Sequence, residues 1–257
     1  MLKQQLDGKL CLFNHVPKTA GASLHGILKQ AFASRMWSLW MLDERPAEWS
    51  QMQQALIDQV LDVNLIFGHV GYERMKGFRE QGGNFCAATF IRDPIQRIVS
   101  LYLYGMSIHK SHETFRKKFP TFLEFARPSA NGQCRYLIGE VTSPEDALAL
   151  VKKEYHFIGI TEMFDFSVFW LLQALGKNPV FFPTVKSNVT PSDIPERETI
   201  TPEAIAEIEQ LFQIDIYVYK QLLKEFKEVV RQRKDLAKIW QQSQKMMIDK
   251  FMPANAE

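Results

Sequence analysis

A chain of 257 residues, 46% hydrophobic and 23% charged, carries enough apolar side chain for one full α/β core. Its formal net charge of +2 excludes strong bulk attraction to nucleic acid, and no stretch approaches the roughly 20 apolar residues of a membrane span. Cys11, Cys86 and Cys134 are odd in number and lack metal-ligand spacing, which predicts buried thiols, no metal site and a reducing, cytoplasmic setting unless the chain is a truncated lumenal domain.

Short apolar runs at 10–16, 64–68, 85–91, 156–161 and, more weakly, 180–185 read as strands. They alternate with helical patterns at 22–33, 49–61, 94–104, 122–126, 144–154, 166–175, 202–212 and 214–250. This alternation predicts an α/β fold in three layers, a parallel sheet with helices on both faces, and an extended helical C-terminus. The division falls at residues 1–225 for the main domain and 226–257 for the helical extension. Residues 220–250 hold nine Lys/Arg against four acids, so the extension has a basic face opposite its apolar one. Packing on the domain or on a second copy in a homodimer accounts for that pattern, and contact with an anionic membrane or polyanionic substrate is the alternative.

Ligands in open parallel sheets bind beyond the carboxyl ends of the strands. The first strand runs into Pro17-Lys18-Thr19-Ala20-Gly21-Ala22-Ser23, a loop with one cation, two hydroxyls and a glycine where a helix N-terminus exposes backbone N–H groups. It is not the nucleotide loop G-x-x-x-x-G-K-[ST], because its lysine precedes the glycine. Phe67-Gly68-His69 ends the second strand with an imidazole able to take a proton near neutral pH. His15 precedes the loop and is expected to point into packing.

The third strand ends in Arg92-Asp93-Pro94, an N-cap with proline at the first helical position; Thr201-Pro202-Glu203 opens a later helix likewise. Arg92 forms a second anion site with bidentate capacity, and Ser100 lies two turns into the helix on the side of Arg97. Glu162 follows the fourth strand, as a partner for an arginine or a substrate group or as half of a structural ion pair. His109 and His112 sit in a polar run, 107–118, read as a mobile insertion. Trp37, Trp40, Trp49 and Tyr72 read as core aromatics, with stacking on a sugar ring as the alternative.

The order Pro-Lys-Thr-x-Gly-x-Ser together with Arg-Asp-Pro…Ser resembles the sulfotransferases that use 3′-phosphoadenosine 5′-phosphosulfate (PAPS). The closest resemblance is to the branch of heparan/uronyl 2-O-sulfotransferases and their bacterial relatives. It extends through Phe67-Gly68-His69, Asn131-Gly132-Gln133-Cys134-Arg135-Tyr136-Leu137, 157–165 and 186–190. The resemblance implies the P-loop-like sulfotransferase fold and sulfuryl transfer from PAPS to an acceptor hydroxyl, a glycan or glycolipid, without metal. It makes Pro17, Lys18, Thr19, Ala20, Gly21, Ala22 and Ser23 the 5′-phosphosulfate loop, Lys18 also the stabiliser of the leaving group. Arg92 and Ser100 become the 3′-phosphate contacts and His69 the general base. Tyr72 and Glu162 are the candidate substrate contacts by their own chemistry, an aromatic ring and a carboxylate near the strand ends. Family loops carry a second hydroxyl near the end, where this chain has Ala22. Acceptor binding is expected from the segments 34–50, 70–83 and 105–135. Two other functions fit the same residues: a small-molecule kinase, opposed by the missing Gly-Lys-Ser/Thr ending, and a non-catalytic bisphosphonucleotide-binding protein, opposed by Lys18 and His69.

Overall fold

The structure, a computed structural model, describes residues 6, 9–40, 46–58, 60–107, 112–178 and 194–233. Strands β1 (Cys11–Asn14), β2 (Met36–Leu39), β3 (Leu65–Gly68), β4 (Cys86–Ile91) and β5 (Phe157–Ile160) form one parallel sheet in the order β2-β3-β1-β4-β5. Helices α1 (Gly21–Phe32), α2 (Pro46–Ile57), α3 (Tyr72–Glu80) and α4 (Pro94–Ser107) follow the first four strands. Then come α5 (His112–Lys118), α6 (Phe122–Ala126), α7 (Gly132–Ile138), α8 (Pro144–Glu154), α9 (Phe164–Ala174), α10 (Pro202–Leu211) and α11 (Gln213–Gln232). The expected α/β sheet with helices on both faces is present.

β1, β3, β4 and β5 are buried at every residue and apolar but for Asn14 and Thr89, the pattern of a parallel sheet covered on both faces. The fifth strand is β2, in a segment expected to be loop. Only Leu39 of its four residues is buried, so this edge strand has no apolar alternation to read. The expected strand at 180–185, the motif at 186–190 and the helix beyond 233 lie outside the described residues. The proposed division after residue 225 falls inside α11, whose Phe226 is fully buried.

Three further helices, α3, α5 and α7, occupy segments where the sequence pattern predicts none. α3 buries only Met75 and Phe78 along nine residues, too thin an apolar stripe to stand out in sequence. α5 takes up the second half of the presumed mobile run because Phe115 packs on Tyr102 and Phe125. These rings belong to a second core with Ile98, Phe122, Ile208 and Phe212, which packs against α4.

Asp215, at the start of α11 and fully buried, fixes α7. Its carboxylate accepts from the Gln133 N–H (3.0 Å) and the Cys134 N–H (2.7 Å), capping the α7 N-terminus. In return Asn131 Oδ1 accepts from the Ile214 and Asp215 N–H groups, each at 3.1 Å, capping α11. Asp215→Ala leaves two buried donors unmet and removes a carboxylate near the buried Arg97. The expected loss is about 3 kcal/mol of unfolding free energy. Urea denaturation measures it, and an unchanged midpoint would refute the reciprocal cap.

Candidate active site

The chain leaves β1 toward α1, β2 and β3 on one side, and leaves β4 toward β5 on the other. The crevice between the ends of these two neighbouring strands is the switch point of the sheet. Lys18, His69, Arg92 and Glu162 follow β1, β3, β4 and β5, so the sheet order sets them side by side.

The loop after β1 is built from uncommon backbone. Lys18 (φ 71°) and Ala20 (φ 61°) are both left-handed, and Ala20 is the N-cap of α1 with no side-chain cap. Alternating helical hands turn successive N–H groups into a concave nest, and the first-turn N–H groups of α1 have no partner within the helix. Thr19 closes the loop from inside: fully buried, it donates its hydroxyl to the Val16 carbonyl at 2.8 Å. The Thr19 hydroxyl, expected to face an anion, turns inward instead. Gly21 is also needed for a reason other than close approach of an anion. A Cβ at Gly21 would stand 1.9 Å from His15 Nε2, so the glycine seats the buried imidazole. His15 is packed between Gly21 and the rings of Phe67 and Trp40, and burial, with His69, His25 and Lys18 adding to it, holds it neutral with a pKa well below the ordinary range.

Lys18 is half-buried, its Nζ 4.0 Å from the centroid of Tyr104 on α4. Desolvation, and the Arg92 charge after it, lower its pKa. Arg92 donates from Nη1 to the Lys18 carbonyl at 3.1 Å, which ties the two strand ends together and leaves most of its fork for an anion. Ser100 is half-buried on α4. Beneath them Arg97 is 4% exposed, and its Nε has no hydrogen-bond partner among the described residues. Burial opposes its charge and Asp215 supports it. A buried cation short of partners below Arg92 is what an anion-binding pocket would contain.

His69 places Nδ1 3.0 Å from the His15 carbonyl oxygen. A carbonyl can only accept, so Nδ1 carries the proton and Nε2 the lone pair, the tautomer a general base needs. Trp40 edges against the ring at 5.3 Å between centroids. His69 and Pro17 open on a cavity of about 850 Å³ that Tyr72, Arg74, Arg135 and Tyr136 also line. It draws on two of the three segments expected to bind the acceptor, and Tyr72 is among its lining residues. Glu162 is not among them. Its Oε1 accepts from the Asp93 N–H at 2.9 Å and its carboxylate hydrogen-bonds Tyr219, so it serves the N-terminus of α4 instead of a substrate. No group of His, Cys, Asp and Glu able to hold a metal occurs among the described residues, and the three cysteines are buried free thiols.

Sequence reasoning missed Tyr104 and Asp215, and gave no role to Arg97 or to Gln133, which it noted only within the 131–137 motif. Asp215 left a faint trace, a lone acid between Ile214 and Ile216 on an otherwise apolar helix start. Gly21→Ala drives a methyl group into His15, with an expected cost of about 2 kcal/mol. Thermal unfolding of Gly21→Ala, His15→Ala and the double variant checks the contact: the double variant recovers much of the loss, and strict additivity would disprove it.

Among solved structures, mouse sulfotransferase SULT7A1 complexed with PAP superposes with a TM-score of 0.51 at 16% identity, over 89% of this chain and 91% of that one. At that identity the likeness shows the fold. No curated protein matches the sequence. The model of the sulfotransferase family matches residues 7–221, which takes in the ends of β1 and β4 and His69. The chain is therefore a member of the sulfotransferase family.

Proposed function

We propose that the protein transfers a sulfuryl group from PAPS to a hydroxyl of a carbohydrate or glycoconjugate. The observation that carries this is the tie between the ends of β1 and β4, where Arg92 Nη1 meets the Lys18 carbonyl. It joins two anion sites on adjacent strands, the arrangement for a nucleotide with phosphates at both its 5′ and 3′ positions. ATP has no 3′-phosphate to use the second site. PAPS supplies the sulfuryl group and departs as 3′,5′-adenosine bisphosphate.

The residues divide the work. The left-handed loop 17–23 offers backbone N–H groups to the 5′-phosphosulfate, with Ser23 the remaining hydroxyl. Lys18 stands where charge accumulates on the leaving oxygen. Arg92 and Ser100 hold the 3′-phosphate. His69 Nε2 takes the acceptor proton, its ring held by the His15 carbonyl. The acceptor occupies the 850 Å³ cavity, large enough for more than one sugar ring, with Tyr72 and Tyr136 as apolar walls. The resemblance to the heparan/uronyl 2-O-sulfotransferase branch supports a glycan acceptor. Three buried thiols fit a reducing, cytoplasmic setting, and no helix among the described residues is long and apolar enough to cross a membrane.

The first test is calorimetric titration with 3′,5′-adenosine bisphosphate beside ADP and Mg-ATP. Selective binding of the bisphosphate is expected, and preference for Mg-ATP would point to a kinase. With an acceptor found by screening glycans against PAPS, His69→Ala lowers turnover about 10³-fold while bisphosphate affinity stays within a few-fold. Turnover like the wild type would remove His69 from the mechanism. The depressed pKa of Lys18 has a definite sign. Bisphosphate affinity weakens with rising pH at a point below the ordinary lysine range, as the ammonium loses its proton. Lys18→Arg keeps its charge and abolishes this alkaline limb, seen by titration from neutral to alkaline pH.

A further inference from the structure

We propose that Gln133 is a positioning residue for Arg92 and thereby sets the preference of the site for a 3′-phosphorylated nucleotide. This rests on Arg92 being the 3′-phosphate ligand. Arg92 is the first residue past β4, where the pairing with β5 has ended at Ile91 and Ile160. Its peptide groups would have to find partners elsewhere. Gln133 supplies both: Oε1 accepts from the Arg92 N–H at 3.1 Å, and Nε2 donates to the Arg92 carbonyl at 3.1 Å. One side-chain amide thus stands in for a strand neighbour and fixes the backbone from which the guanidinium departs.

The clamp is itself held. Gln133 is 2% exposed, so water cannot substitute for it, and its own N–H is bound by Asp215. Asp215 is bound in turn through its N–H to Asn131. It also works against a load, since Arg92 and the buried Arg97 repel one another. Without the amide, the Arg92 peptide is free to turn and the long side chain magnifies the turn at its tip. Gln133 reaches the Lys18 loop only through the Arg92 bond to the Lys18 carbonyl, and the two other braces of that loop, Thr19 on Val16 and His15 against Gly21, stay when that bond loosens. Loss of the clamp is therefore felt mainly at the 3′-phosphate and far less at the 5′-phosphate.

The test compares two ligands, 3′,5′-adenosine bisphosphate and 5′-AMP, by calorimetry on the full chain. Gln133→Met keeps length and volume and deletes both hydrogen bonds. Its expected effect is a roughly tenfold fall in the preference for the bisphosphate, with 5′-AMP affinity unchanged within about twofold. Gln133→Asn, whose amide is one methylene too short to reach both groups, carries the same test if the Met variant does not fold. A parallel loss of both ligands would mark a merely structural residue and overturn the proposal, as would an unchanged preference. Arg92→Ala separates the two levels. If it lowers the preference and the Gln133 variants do not, the clamp alone fails. If Arg92→Ala leaves the preference intact, the 3′-phosphate assignment fails and the clamp with it.

Discussion

The carboxyl edge of the sheet depends on a stretch of backbone that L-residues adopt reluctantly. Left-handed conformation at Lys18 and at Ala20 costs about 1–3 kcal/mol each and persists only where the surroundings over-determine it. The surroundings do so from three sides. Thr19 pins the loop to Val16 from within, His15 fills the space over Gly21, and Arg92 grips the Lys18 carbonyl from the next strand. The strain gives a nest of N–H groups held open by packing, so an anion meets donors already in place.

Buried polar side chains, not apolar ones, decide where the chemistry sits. Asn14, at the end of β1, donates to the Tyr155 hydroxyl at 2.7 Å and accepts from the Gly71 N–H at 2.9 Å. It thereby fixes the turn that begins α3 and flanks His69. Its carbonyl also receives the Thr89 hydroxyl of β4 at 2.8 Å. Asp215 does for the Arg92 side what Asn14 does for the His69 side. Each group is fully buried, where an unmet donor or acceptor carries its whole desolvation penalty, and the apolar core between them resists both moving.

Much of this was legible in the sequence because buried parallel strands are continuous apolar runs and because loops at their ends carry chemistry. The Pro17–Ser23 loop, Arg92 with its Asp93-Pro94 cap, and His69 all announce themselves by their place directly after an apolar run. β2 and α3 did not, since an edge strand and a thinly buried helix lack the periodicity that marks such elements. The loop's inner logic was hidden for a different reason. That Thr19 turns inward and that Gly21 makes room for His15 are facts about which side of a turn each atom faces, and residue spacing does not encode them. The roles of Asp215 and Gln133 escaped notice because their partners lie 82 and 41 residues away in sequence.

β1, the first strand among the described residues, is also the middle strand of the sheet. Both edges of β1 are completed by segments made later, β3 on one side and β4 on the other. During synthesis β1 waits for β4, whose partners lie 75 residues downstream, a delay on the order of 4–15 s at cellular elongation rates. Throughout that interval an apolar strand with unpaired backbone is available to any neighbouring chain. The stretch from β1 to β4 is consequently exposed to wrong pairing while it is being made, and holdase chaperones would find their binding segment in the strand that later anchors the site.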